Sequence, residues 1–66
     1  MNETINLFRT ADALVFFRDE GGYRVLFPNS GIDVESLNEA SEVARENGAE
    51  SLEVRFPHGG RDRVRL

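Results

Sequence analysis

Residues 33–48, DVESLNEASEVARENG, decide the fold because they carry a helix signal at each end. Asp33 is a residue type that caps helix N-termini, and Gly48 stands where a left-handed backbone commonly ends a helix. The segment therefore predicts a helix from about Val34 to Asn47. Its apolar side shares one helical face and consists of Val34, Leu37, Ala40, Ser41 and Ala44.

Three apolar segments before this helix predict strands. They are TINLFR (4–9), ALVFFR (13–18) and YRVLFP (23–28), and the glycine-containing DEGG (19–22) between the last two predicts a hairpin. A two-residue turn in DEGG would place Leu14, Phe16, Tyr23, Val25 and Phe27 on one face of the sheet. The other face would then carry Val15, Phe17, Arg24 and Leu26.

The segment after the helix, SLEVRFPHGGRDRVRL (51–66), predicts a second hairpin. A three-residue loop at residues 58–60 pairs Leu52 with Leu66 and Val54 with Val64, so that apolar residues face each other. It gives Gly60 the positive φ of a bulge residue. The same register sets Glu53 opposite Arg65.

These elements predict an α+β fold, a single small domain over residues 1–66. The expected order is β-β-β-α-β-β, with a mostly antiparallel five-stranded sheet and one helix packed on one face. Because one helix covers only one side of a sheet, the opposite side is expected to be uncovered.

Composition excludes several classes of function. The chain of 66 residues has no cysteine and one histidine, so neither a disulfide framework nor a zinc site is expected, and no cofactor is expected. Its net charge of −4 argues against direct nucleic-acid binding of the usual basic kind. No apolar run approaches the ~20 residues that span a bilayer, and MNETINLF lacks the features of a signal peptide. We therefore expect a cytoplasmic protein without a membrane partner.

No segment carries a catalytic motif. His58 lies in a glycine-rich loop, where an exposed turn residue is the simplest interpretation, and no serine has a histidine in an activating motif. The glycines of PHGGR and DEGGY match no phosphate-binding fingerprint, and hairpin turns account for them. The sequence predicts that the protein is not an enzyme.

Four glutamates form what we call the acidic ridge: Glu35, Glu39, Glu42 and Glu46. At 100° per residue they fall within about 60° of one another, opposite the apolar face. Successive carboxylates would be about 4.5 to 6 Å apart along the axis, similar to the spacing of phosphates in a nucleic-acid strand. Asp33 precedes the ridge, and Glu50 follows it.

Two interpretations of the acidic ridge remain open. Exposed helix faces are commonly charged, and glutamate is a good helix former, so the ridge can be an ordinary solvated face. However, its like-charge pairs at four-residue spacing cost about 0.2–0.5 kcal/mol each, where alternating charges would stabilise the helix. Local choices that oppose folding are typical of functional sites.

Two other surfaces are candidates for contact with a partner. The uncovered sheet face, with Val15, Phe17 and Leu26, is a candidate dimer or partner face because exposed apolar patches commonly mark interfaces. The last hairpin carries an arginine stripe of Arg55, Arg63 and Arg65, with Arg61 nearby. A solvated strand face is the simpler interpretation of that stripe.

The compact acidic chain and the segment DVESLNEASEVARENGAESLE resemble the anti-CRISPR proteins of bacteriophages, in size, charge and plan rather than in a motif. The resemblance implies an inhibitor that mimics nucleic acid and occludes a DNA- or RNA-binding surface in the host cytoplasm. The expected partner is a protein with a basic nucleic-acid-binding groove, such as a CRISPR effector subunit. A homodimeric accessory or antitoxin-like module, associating through the uncovered sheet face, is the alternative. The residues expected to bind the partner are Asp33, Glu35, Glu39, Glu42, Glu46 and Glu50.

Overall fold

The computed structural model of the chain describes residues 11–66, so the predicted strand TINLFR lies outside the described residues. Five strands and one helix follow in the order β-β-β-α-β-β. Their bounds are β1 Ala13–Phe17, β2 Tyr23–Phe27, β3 Ser30–Val34, α1 Leu37–Glu46, β4 Ser51–Arg55 and β5 Arg61–Arg65.

All five strands form one sheet in the order β3-β2-β1-β4-β5. Three of its four strand pairs are antiparallel, whereas the central pair, β1 with β4, is parallel. The connection between these parallel strands passes through α1, which packs on one face of the sheet. The α+β fold class and the mostly antiparallel sheet are thus confirmed.

The predicted face assignment of β1 and β2 is wrong by one residue. Arg18 N donates to Gly22 O at 3.1 Å, which closes a three-residue loop where a two-residue turn was predicted. An odd loop length reverses which residues face each other, so Val15 pairs with Val25 and Phe17 pairs with Tyr23. The face toward α1 therefore carries Val15 and Phe17, and the opposite face carries Leu14, Phe16, Arg24 and Leu26.

The strand β3 was not predicted, because its residues were assigned to a loop and to the start of the helix. A two-residue turn at Pro28-Asn29 leads into β3, where Val25 pairs with Ile32 and Arg24 pairs with Asp33. Asp33 is consequently a strand residue and not the helix N-cap. Val34, the last residue of β3, is only 5% exposed and belongs to the core under α1.

Ser36 replaces Asp33 as the N-cap of α1. Its Oγ accepts from Glu39 N at 3.1 Å, which satisfies one of the free N–H groups of the helix, and Glu39 Oε1 accepts from Glu35 N, just before the cap, at 2.8 Å. Removing such an N-cap costs about 1 kcal/mol. The helix begins three residues later than predicted, at Leu37.

The C-terminal end of α1 agrees with the prediction. Gly48 has a φ of +83°, and its N–H donates to Arg45 O at 3.0 Å. Ala49 N donates to Ala44 O, also at 3.0 Å, which completes a Schellman motif. Ala44 and Ala49 are both buried, so the motif also turns the chain back onto the core before β4.

The loop of the second hairpin has the predicted length of three residues but begins one residue earlier than predicted. Phe56 N donates to Gly60 O at 2.8 Å, so the loop is Pro57-His58-Gly59, and Gly59 rather than Gly60 has positive φ, at +100°. Leu52 pairs with Val64 instead of Leu66, and Glu53 pairs with Arg63 instead of Arg65. The register differs from the prediction by two residues along β5, so the same residues of β5 still face α1.

The core lies between α1 and the sheet. The helix contributes only small side chains, Ala40 and Ala44, so its backbone can lie close to the strands. The large buried side chains come from the sheet, where Val15 and Val25 are 0% and Leu52 is 1% exposed. Strand β5 at the edge is exposed and charged along most of its length, which disfavours pairing with another chain at that edge.

Candidate functional site

Three of the four residues of the acidic ridge lie on α1, and the fourth precedes it. Counting 100° per residue, Glu39, Glu42 and Glu46 fall within about 60° of one another, centred opposite the buried alanines. All three are exposed. Within residues 11–66 none of them forms an ion pair, although Arg45 lies on the same helix. We call these three residues the outer helix face.

The members of the outer helix face are not equivalent. Glu39 accepts the hydrogen bond from Glu35 N, so it also stabilises the helix N-terminus. Glu42 and Glu46 have no such structural contact within the described chain and lie one turn apart. Glu35 is exposed but sits before the N-cap, and its carboxylate is not positioned by helical geometry.

Asp33 does not belong to the acidic surface. Arg24 Nε donates to Asp33 Oδ1 at 2.7 Å, and Arg24 Nη2 donates to Oδ2 at 3.3 Å. Arg18 lies 3.7 Å from the same carboxylate. Asp33 was predicted to bind a partner together with the helical glutamates, but as a β3 residue it lies on the sheet face opposite α1, where its carboxylate pairs with Arg24.

The Arg24–Asp33 pair should make the free energy of unfolding depend on pH in the acidic range. The hydrogen bond from Arg24 holds the pKa of Asp33 below its ordinary value, and that pair raises the pKa of Arg24. The pKa of Asp33 is therefore lower in the folded chain than in the unfolded chain. The ion pair contributes fully to the free energy of unfolding above the unfolded pKa of about 3.9, and this contribution is lost as pH falls through the folded pKa. Asp33→Asn should reduce the loss of unfolding free energy between neutral and acidic pH, as measured by urea titration.

Asp62→Asn is the matched control for that measurement, because Asp62 is exposed in β5 and forms no ion pair within the described chain. Equal acid sensitivity in the wild type and the Asp33→Asn variant would show that the pair does not contribute.

Glu50 lies after the Schellman turn, away from the outer helix face. Its N–H donates to Asp12 Oδ2 at 2.9 Å, and its carbonyl accepts from Leu66 N at 3.0 Å. The side chain is exposed and lines a shallow cleft with Arg63 and Arg65. The structure thus places Glu50 beside the arginines of β5.

The predicted apolar contact face does not exist as a single surface. Val15 is fully buried under α1, and Phe17, on that same side, packs edge-on against Tyr23 with ring centroids 4.9 Å apart. Leu26 alone points to the opposite side, where it is half-buried. The error has one cause, the three-residue loop between β1 and β2, which exchanges the faces of β1.

We call the sheet face opposite α1 the distal face. Its centre is buried, since Leu14 is 0% and Glu53 is 4% exposed. Glu53 Oε2 accepts from Arg55 Nε at 2.9 Å. The cross-strand pairs place five arginines on this face: Arg24, Arg55, Arg61, Arg63 and Arg65.

Charge is therefore separated between the two sides of the molecule. The helix side presents carboxylates, and the distal face presents guanidinium groups with only Asp33 and Glu53 as counter-charges in the described strands. The sequence pattern identified Arg55, Arg63 and Arg65 as a stripe, with Arg61 nearby, but did not place Arg24 with them. The pairing of β2 with β1 and of β1 with β4 reveals that placement, because Phe16 is the cross-strand neighbour of both Arg24 and Arg55.

The described residues contain no group of three histidine, cysteine or acidic side chains that could hold a metal ion. His58 is exposed in the β4–β5 loop, where its Nδ1 accepts from Gly60 N at 3.2 Å and its ring stacks on Phe56. Both contacts of His58 are therefore made within the β4–β5 turn and its flanking residue Phe56. No helix within residues 11–66 has the length and apolar character needed to cross a membrane.

No family model, no curated protein and no solved structure matches this chain. Function is therefore inferred from the geometry and charge of the described residues.

Proposed function

We propose that this chain is a non-enzymatic binding protein whose outer helix face occupies the basic nucleic-acid-binding surface of a partner protein. One observation supports the proposal most strongly: Glu39, Glu42 and Glu46 project from α1 away from the core and lack ion-pair partners among the described residues. Occlusion of such a surface is inhibition by mimicry, the mode of action that the resemblance to anti-CRISPR proteins implied.

The spacing of the carboxylates supports mimicry of a phosphate backbone. At a rise of 1.5 Å per residue, successive glutamates on the outer helix face are about 4.5 and 6 Å apart along the axis. A cationic groove that binds phosphates would meet a similar density of negative charge on this helix. Complementary charge of this kind accelerates association and selects the partner, and salt weakens it.

The energetics of α1 also support a role outside folding. Glu42 and Glu46 are a like-charge pair one turn apart, and Glu46 lies near the C-terminus, where the helix dipole disfavours an anion. Neither residue caps the helix or pairs with Arg45. The repulsion between the two glutamates and the helix dipole at Glu46 both act against the stability of α1, and a basic partner would relieve both.

Reversal of these two charges tests the proposal. The variant Glu42→Arg/Glu46→Arg should fold as well as the wild type, because the helix dipole favours cations near the C-terminus and the Ser36–Glu39 cap stays intact. We expect the wild type, used as bait in a cell lysate at low salt, to retain nucleic-acid-binding proteins that duplex DNA elutes. The variant should lose them, as measured by quantitative mass spectrometry.

A control with the same change in net charge separates this surface from a general charge effect. Glu20→Arg/Asp62→Arg reverses two exposed acids outside α1, in the β1–β2 loop and in β5. The control should retain the same proteins as the wild type. If the outer-face variant keeps them, or if both variants lose them equally, the proposal is wrong.

The homodimer alternative has lost its structural basis. It depended on an exposed patch of Val15, Phe17 and Leu26, and these residues lie on two different faces with Val15 fully buried. We therefore propose no second function.

A further inference from the structure

A cleft opens at the end of the sheet where the central strands β1 and β4 finish. Because these strands are parallel, the loops that follow them leave from the same end and form the two sides of the cleft. Its volume is about 700 Å³. We call it the arginine cleft, after the three arginines in its lining, which includes Arg18, Arg55, Arg61, Phe16, Phe17 and Phe56.

Two of these arginines face each other across strands. Arg55 and Arg61 are cross-strand partners at the end of the β4–β5 ladder, so their side chains leave from the same face of the sheet. Like charges in directly opposed positions destabilise a strand pair. Arg61 is exposed and forms no ion pair within residues 11–66, so the described chain does not neutralise it.

The other two guanidinium groups also have donors to spare. Arg55 uses Nε for its bond to Glu53 at 2.9 Å, which orients the group and leaves its four Nη–H donors for other acceptors. Arg18 lies 3.6 Å from Glu20 and 3.7 Å from Asp33, distances at which an ion pair is weak. Guanidinium forks of this kind match the geometry of phosphate oxygens.

Aromatic rings line the same cleft from the α1 side of the sheet, whereas Arg55 and Arg61 line it from the distal face, so a ligand would contact both across the end of the sheet. Phe17 is 38% exposed, and its ring centroid is 5.5 Å from that of Phe56. Phe56 in turn stacks on His58 at 5.6 Å with an interplanar angle of 2°. Aromatic rings and cationic groups that line one cleft are the combination that binds the base and the phosphate of a nucleotide.

We propose that the arginine cleft binds a nucleotide unit, with the phosphate at Arg55 and Arg61 and the base against the aromatic rings. The required chemistry is a phosphate dianion or diester that carries a planar ring. A free nucleotide and a single-stranded nucleic acid both supply it. The proposal does not depend on the outer helix face, because different residues form the two surfaces.

Amide chemical shifts of the labelled full chain test this proposal with three probes: AMP, ribose 5-phosphate and a thymidine oligonucleotide. AMP or the oligonucleotide should shift the amides of Gly59, Gly60 and Arg61. AMP should bind at least about fivefold more tightly than ribose 5-phosphate, because stacking adds to the phosphate contact. Tighter binding of AMP would identify a free nucleotide as the ligand, and tighter binding of the oligonucleotide a nucleic-acid strand.

Arg61→Gln and Arg65→Gln provide the matched pair of variants. Both remove one charge from the same face of β5, but Arg65 lies at the far end of the strand. Arg61→Gln should weaken binding about tenfold or more, as expected for loss of a charged hydrogen bond, and Arg65→Gln should change it less than about twofold. The urea unfolding curve of Arg61→Gln should stay at or above that of the wild type, because the like-charge pair is relieved.

Three results would overturn the proposal. They are the absence of cleft shifts with all probes, an equal loss in both variants, and equal affinities for AMP and ribose 5-phosphate. The first two would leave the arginines as a solvated strand face, and the third would remove the role of the aromatic rings.

Discussion

Replacing Leu52 by alanine should lower the free energy of unfolding by about 2–5 kcal/mol. Leu52 is 1% exposed in β4, pairs across strands with Ala13 and Val64, and belongs to the core beneath the helix. A domain of this length has a total stability of only about 3–10 kcal/mol. We therefore expect the variant to lose a large fraction of its stability, seen as a strongly lowered urea midpoint in a titration followed by circular dichroism.

The control for this substitution is Val64→Ala on the neighbouring strand. Val64 is the cross-strand partner of Leu52 on the same side of the sheet, but it is 39% exposed, so alanine should cost less than about 1 kcal/mol. Equal costs at the two positions would mean that the core does not centre on β4 as the structure has it.

Gly22→Ala should be nearly as damaging, for a reason in the backbone. Gly22 has a φ of +74°, where an alanine costs about 1–2 kcal/mol. A Cβ at this position would also lie 2.7 Å from Val34 O, a backbone atom of β3 that cannot move aside cheaply. The contact adds a cost similar to that of overpacking, about 1–3 kcal/mol. Urea titration should show the sum of both effects.

Gly21→Ala isolates the first of these effects. Gly21 has a φ of +98°, and a Cβ added there would meet nothing within 4 Å, so its substitution carries the backbone strain alone. The difference between the two variants measures how closely the β1–β2 loop approaches β3. Equal destabilisation by both would contradict the placement of β3 against this loop.

Local sequence patterns were sufficient for part of the fold. Alternating apolar residues identified the two strands of the first hairpin, and Gly48 marked the end of the helix because a left-handed residue suits that position. The start of the helix was ambiguous, since Asp33 and Ser36 are both good N-cap residues. Pairing of Asp33 with Arg24 in the sheet decides between them, and no local signal contains that information.

The candidate site, like the fold, could be predicted only in part from local sequence patterns. The outer helix face follows from helical periodicity, so Glu39, Glu42 and Glu46 were placed correctly without coordinates. Surfaces built from several strands depend on loop length, and one extra residue in the β1–β2 loop exchanged the faces of Val15 and Phe17. The arginine cleft was missed because it requires β1 and β4 to be parallel neighbours, a pairing between distant parts of the chain.

The opposite charges of the two sides explain how an acidic chain can contain a strongly basic face. Salt dependence of binding is expected for both surfaces, so it cannot by itself identify which one contacts a given partner. The charge-matched variants separate them, because Glu42 and Glu46 are remote in sequence from Arg61 and lie on the helix side.

We expect the outer helix face and a nucleic acid to compete for one surface of the partner. The direct measurement is the affinity of a captured partner for its own nucleic acid, determined at rising concentrations of this chain. We expect the wild type to displace the nucleic acid completely, whereas Glu42→Arg/Glu46→Arg should leave it bound. A stable ternary complex of partner, nucleic acid and wild-type chain would contradict the claim.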